Sequence, residues 1–238
     1  MNSLIRTRGL RGAMVACAAL TLTTSAIPAW AAGSAAESTP SAAAPQASGW
    51  SESRVTRGDA PLIATTRPDA RTTWVAGARF VGSGDDLELV PALWERDERK
   101  GPGWKRVKTA PVPRGDVRFN DVDASSPRNA MLVGDYTEQS RGVVTQRWNG
   151  RAWKSAVAPV PRGAEGGGLL SVDTRAPGDA WAAGYAQVRA GGRSSIVGTV
   201  QHWDGTRWKA QKLPDVTAGD RDLWWQLSSV AALAADDV

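Results

Sequence analysis

The chain has 238 residues, with 29 Lys and Arg against 24 Asp and Glu, and 12 Trp against only 2 Phe and 2 Tyr. One Cys and one His speak against disulfide scaffolds, zinc sites, thiol chemistry and His-based triads. Apolar residues make up 42% and charged residues 22%, an ordinary globular composition, and 25 Gly with 14 Pro favour many turns over long helices.

At the N-terminus, Arg6, Arg8 and Arg11 precede an apolar run from Ala13 to about Ile27, and Ala29-Trp30-Ala31 fits a small-x-small cleavage site. This is the pattern of an export signal, predicted over 1–31. Its apolar run is too short for a membrane span. Cleavage after Ala31 removes Cys17, the lone thiol, which suits secretion into an oxidising space. Removing the three signal arginines takes 29 basic residues to 26 against 24 acidic ones, and no Lys/Arg run reads as a nucleic-acid tract. Residues 32–48 are Ala, Ser, Pro, Gly, Glu, Gln and Thr throughout, a composition expected to form a disordered linker.

From Trp50 onward the chain repeats itself. One copy runs Leu169-Leu170-Ser171-Val172-Asp173, Asp179-Ala180-Trp181-Ala182-Ala183-Gly184, Val200-Gln201-His202-Trp203-Asp204-Gly205 and Arg207-Trp208-Lys209. An earlier copy runs from Phe119 through Gly134, Trp148-Asn149-Gly150 and Trp153-Lys154, and a looser one from Leu62 through Gly77, Trp94 and Trp104-Lys105. Trp94, Trp148 and Trp203 are 54 and 55 residues apart, and Trp104, Trp153 and Trp208 are 49 and 55 apart. The string Ala-Pro-Val-Pro-Arg-Gly recurs unchanged at 110–115 and 158–163. Each copy holds four short apolar runs separated by turn signals. Asn149-Gly150 and Asp204-Gly205 predict tight two-residue hairpins. No stretch keeps a helical period.

The expected unit is a four-stranded antiparallel meander with two apolar faces. Stacking such sheets around an axis buries both faces, giving a β-propeller with Trp wedged between blades. The repeats are approximately 62–110, 117–158 and 169–214, with a partial copy at 227–238. Residues 49–58 resemble a fourth strand and its exit loop. That leaves three full blades and parts of a further one, where propellers typically have 4–8. The expectation is therefore an incomplete ring, part of a longer one, whose open blade edges allow self-association. The Asp-Ala-Trp-Ala-Ala-Gly and His-Trp-Asp-Gly-Thr-Arg-Trp runs resemble the Trp-rich propeller repeats of exported bacterial proteins, similar to kelch and galactose-oxidase-type propellers. The kelch Gly-Gly doublet is single here, at Gly77, Gly134 and Gly184. The Asp and Gly of the sialidase Asp box are separated by one residue, whereas those of 204–205 adjoin.

Most of the Trp residues keep the repeat period and read as core. Trp224 and Trp225 do not, because they precede the fourth repeat where the others have Asp116-Val117 or Gly167-Gly168. They are candidates for stacking on a ligand or for plugging the channel. Arg57, Arg114 and Arg162 each precede Gly in equivalent loops and could converge as an anion-binding crown. Asp121, Asp123, Asp173, Asp179 and Asp237 could line a channel, or bond to backbone amides instead. The loop 82–88 reads as a hairpin tip, and His202 lacks a metal-ligating companion. No catalytic residue, cofactor or metal is indicated. The expected function is an exported, non-catalytic binding module for a protein or glycan, with no nucleic-acid partner. The alternative is a fragment of a propeller glycan hydrolase or lyase whose catalytic blades lie elsewhere.

Overall fold

The structure is a computed structural model that describes residues 53–112, 116–136, 142–161, 163–190, 193–214, 224–234 and 238. The export signal and linker expected over 1–48 lie outside the described residues, as do Arg114, Arg162 and Asp237.

The described residues form three four-stranded antiparallel sheets and no α-helix. Blade 1 is β1 (Leu62–Asp69), β2 (Thr72–Val81), β3 (Glu88–Asp97) and β4 (Lys105–Val107). Blade 2 is β5 (Val117–Ser126), β6 (Asn129–Tyr136), β7 (Val143–Trp148) and β8 (Trp153–Ser155). Blade 3 is β9 (Ala164–Ala176), β10 (Asp179–Ala190), β11 (Arg193–Trp203) and β12 (Trp208–Ala210). Each sheet pairs its strands in sequence order. No helix among the described residues is long and apolar enough to cross a membrane.

Alternation along β6 shows how the blades stack. Ala130 and Leu132 join Trp74, Ala76 and Leu93 of blade 1 in one buried cluster. Met131 and Val133, on the other face, join Leu169, Ala182, Trp203 and Trp208 of blade 3 in a second. The middle sheet is thus buried on both faces, as the period of two requires. The first strands run side by side, with β5 packed against both β1 and β9. This is the propeller arrangement.

Indoles fill the joints. Trp74 of blade 1 meets Trp148 and Trp153 of blade 2, with ring centroids 5.9 and 5.5 Å apart. At the next joint Met131 occupies the position of Trp74 and packs with Trp203 and Trp208, whose rings are 5.8 Å apart. Trp148 and Trp203 make the same polar contact, each indole N–H donating to the carbonyl of Pro127 or Pro177 in the hairpin below.

Two further devices repeat. Gly77, Gly134 and Gly184 sit where β2, β6 and β10 cross a bulge in the preceding strand. A Cβ there would fall 1.9 Å from Pro61 O, 2.1 Å from Arg118 O and 2.0 Å from Gly168 O respectively. The Ala-Pro-Val-Pro connectors are clipped by buried glutamines of the following blade. Gln146 accepts from Ala110 N and donates to Ala110 O, both at 2.9 Å, and Gln201 donates to Pro159 O at 2.7 Å.

The structure differs from the sequence reading at three places. Trp94 pairs with Val75 and so occupies the position of Gln146 and Gln201; Arg96, opposite Thr73, stands where the third-strand Trp148 and Trp203 stand. Asn149-Gly150 and Asp204-Gly205 open longer turns. Asn149 N donates to Ala152 O, and the Asn149 side chain caps the amides of Arg151 and Ala152. Only the glycine of each pair needs positive φ, 85° at Gly150 and 93° at Gly205. Residues 53–61 carry no strand, although Trp104 Nε1 donates to Ser53 Oγ at 2.7 Å and ties them to blade 1.

Replacing Gly134 by Ala is expected to lower stability by about 2 kcal/mol or more in urea titration, because the added methyl meets a backbone carbonyl that cannot swing away. Gly103→Ala, where a Cβ meets nothing within 4 Å, is the control and should change stability little. A second expectation concerns pH. Hydrogen bonds from Arg99 and then Lys100 hold the Asp97 carboxyl at about 2 against an ordinary 3.8. A depressed carboxylate stabilises the fold above its unfolded pKa and loses that effect as pH falls through the folded one. The stability advantage of the wild type over Asp97→Asn should therefore be full above about pH 4 and shrink towards pH 2, read from urea midpoints.

Candidate functional site

Bulged Asn120 on β5 points its side chain across the joint between blades 2 and 3. Its Nδ2 donates to Asp135 Oδ1 at 3.1 Å and to Leu169 O at 2.9 Å. Asp135, at the end of β6, is buried, and its Oδ1 also accepts from Arg118 Nε at 3.1 Å. Its Oδ2 accepts from the Tyr185 hydroxyl on β10 at 2.9 Å. Gly168 makes room for this network: a Cβ there would fall 2.7 Å from Asp135 Cβ and 2.8 Å from Tyr185 Cε1. A buried carboxylate is tolerable only with such partners. Here it fixes the Tyr185 ring.

The fixed ring forms part of a cleft of about 340 Å³, lined also by Ile196, Trp224, Trp225 and Gln226. The segment 224–227 lies across blade 3. Trp225 N donates to Ile196 O and Leu227 N to Gly184 O, both at 3.1 Å. The Trp225 ring lies on bare backbone at Gly198, where a Cβ would fall 2.2 Å from Cζ3. Trp225 is half-buried, whereas Trp224 is 71% exposed. The two tryptophans singled out in the sequence thus divide the work: one anchors the segment and the other offers an open indole at the cleft.

The remaining sequence candidates fall elsewhere. Arg57 is exposed in the segment before β1 and lines a shallow cleft with Arg54, Val55, Thr56 and Trp104. The described residues do not bring it to Trp224. Asp121, Asp123 and Asp173 accept from backbone amides of the segment packed alongside their own strand. Asp121 Oδ2 accepts from Val172 N at 2.8 Å, Asp123 Oδ2 from Thr174 N at 2.6 Å, and Asp173 Oδ2 from Ala232 N at 2.8 Å. Burial pushes the Asp121 carboxyl up, and the amide donors from Val172 and Val122 oppose it. The clasp on Ala232, with Val230 N donating to Ser171 Oγ at 3.3 Å, lays 227–232 along β9 as β9 lies along β5. Asp179 accepts from Arg175 and faces His202 Nε2 at 3.0 Å, while the His202 ring stacks on Trp181 at 4.4 Å. The loop 82–88 carries a short 3-10 turn at Gly84–Asp86. Among the described residues no three of His, Cys, Asp and Glu group as metal ligands.

Sequence reasoning missed Asp135, Tyr185 and Gly198. Tyr185 stands at the position of Asp135 in the repeat, and that departure was the available signal.

No family model matches the chain. No curated protein matches it. Two solved structures are similar in shape. "YCF48 bound to D1 peptide" has a TM-score of 0.41 and 19% identity, covering 65% of this chain and 40% of that one. "Structure of SapL1 lectin in complex with alpha methyl fucoside" has a TM-score of 0.33 and 12% identity, covering 67% of this chain and 66% of that one. This chain therefore spans less than two thirds of the length of either. At these scores the fold rests on the strand topology and blade packing described above, and no function carries across.

Tyr185→Phe removes the hydroxyl from a buried carboxylate and is expected to cost about 1–3 kcal/mol of stability in urea titration. A change near zero would show that the network does not hold the ring.

Proposed function

We propose that this chain is an exported, non-catalytic β-propeller module that binds a glycan or protein ligand through the cleft at Trp224. The observation that carries this reading is the 71% exposure of Trp224 on a segment held to blade 3 by the Trp225 and Leu227 amides. Exposing a large apolar ring to water is unfavourable, and contiguous exposed apolar surface marks a binding site. An indole offers a flat apolar face for a sugar ring or a side chain, together with an N–H donor. The cleft is preorganised. Its walls rest on the Trp225 and Leu227 amide bonds and on the Asp135–Tyr185 bond, so little ordering cost remains to be met on binding. Export rests on the basic and apolar pattern of residues 1–31, and the kelch-like character rests on the Asp-Ala-Trp-Ala-Ala-Gly and His-Trp-Asp-Gly-Thr-Arg-Trp runs alone.

The test is a panel of immobilised glycans and peptides probed with wild type and Trp224→Ala. Binding without turnover, weakened about tenfold or more in the variant at unchanged melting temperature, is expected. Undiminished binding by the variant would remove the cleft from the proposal. Turnover of a bound ligand would overturn the non-catalytic reading.

A further inference from the structure

The hairpin end of blade 2, formed by the turns at 126–129 and 149–152, carries four cations: Arg128, Arg147, Arg151 and Lys154. Blade 2 has a blade against each of its faces, so this end is an outer surface whatever adjoins blades 1 and 3. Local geometry draws the cations together. Arg147 and Lys154 are register partners on one face of the sheet. The stem of Arg128 lies against the other turn, where a Cβ at Gly150 would fall 3.1 Å from its Cβ and Cγ, and Arg151 is the next residue.

What sets this end apart is the loss of carboxylates. Blades 1 and 3 answer the cations of their hairpin ends with acids. Asp69, Glu95 and Asp97 engage Arg99 and Lys100, and Asp179 and Asp204 engage Arg175 and Lys209. In blade 2 the register puts Ser126 at the position of Asp69, Arg147 at that of Glu95, and Asn149 at that of Asp97 and Asp204. Asn129 stands at the position of Asp179. Each acid is replaced by a neutral or basic residue. The described carboxylates of blade 2 are committed elsewhere: Asp116 accepts from Leu89 N, Asp121 and Asp123 from Val172 N and Thr174 N, and Asp135 pairs with Arg118. Arg147 lies over the Trp203 ring at 5.8 Å, and its Nε is buried without a hydrogen-bond partner. None of the four cations has an ion-pair partner among the described residues.

We infer that this end of blade 2 binds an acidic polysaccharide. Guanidinium forks and an ammonium match the oxyanions of sulfate and carboxylate groups. Large apolar side chains, the usual centre of a protein–protein interface, are absent from the exposed residues of this end. None of those exposed residues is aromatic, as stacking on a nucleic-acid base requires; the Trp148 and Trp153 rings are packed with Trp74. Cations fixed on two turns suit a chain of repeated charges. The surface is separate from the Trp224 cleft and does not depend on it.

The test uses dextran sulfate, polygalacturonate, uncharged dextran, poly-glutamate and single-stranded DNA as probes of the full chain. Dextran sulfate, polygalacturonate or both should bind and uncharged dextran should not, with affinity falling as salt rises. Arg128→Gln with Arg151→Gln, both exposed positions, should weaken that binding by about tenfold or more without moving the melting temperature. Asn149→Asp returns the acid of blades 1 and 3 and keeps the turn, because Asp204 caps the amides of Thr206 and Arg207 as Asn149 caps those of Arg151 and Ala152. It should weaken binding by about threefold or more at low salt. Arg207→Gln with Lys209→Gln on blade 3, likewise exposed, should leave binding unchanged, as should Trp224→Ala. Equal weakening by the blade 3 pair would mean diffuse surface charge and overturn the site. Failure of both acidic polysaccharides to bind, or tighter binding of poly-glutamate or DNA than of either, would overturn the ligand class.

Discussion

Each sheet of this protein is too small to be stable alone, so everything rests on the joint between one blade and the next. Indoles are the largest side chains in the joint, set among Ala, Val and Leu. Trp74, Trp148 and Trp153 form a three-ring cluster across the first joint, with centroids 5.5–5.9 Å apart. A fully buried Trp removes about 150–250 Å² from water, about 4–6 kcal/mol before ordering costs. Rings of this size also fix the spacing of the sheets. Where Met131 replaces the Trp74 position, a flexible thioether fills the same gap between Trp203 and Trp208.

Hydrophobic burial is not directional and does not by itself set how far one blade slides along another. The polar clasps do that. Asp121 and Asp123 accept backbone amides two residues apart on β9, so a shift by one residue would take both amides away from their carboxylates. Gln146 and Gln201 do the same at the outer side, each tying the connector from the preceding blade. The bulges opposite Gly77, Gly134 and Gly184 turn the first strand of each blade, and in blade 2 the bulged Asn120 reaches the Asp135 network.

The candidate cleft lies where this regular scheme is broken. At the Trp224 cleft, Tyr185 replaces Asp135 of the repeat and Gly198 leaves bare backbone for an indole to lie on. A repeat gives a built-in reference, and departures from it that leave the core intact mark candidate binding surfaces.

The amino-acid pattern alone determined the four-stranded unit, its number of copies and the burial of most of the periodic tryptophans, because alternation and repeat length follow from strand geometry. It also marked Trp224 and Trp225 as out of step. The pairing register of β3 lay beyond it. Trp94 and Arg96 are two residues apart and share one face of the strand, so a period of two cannot say which of them answers to Trp148; only the hydrogen-bonded partner across the sheet decides. The roles of Asp121, Asp123, Gln146 and Asp135 were hidden for a related reason. A polar side chain reads as exposed until folding brings to it, from some 15 to 50 residues away in the chain, the one amide, carbonyl or hydroxyl that satisfies it.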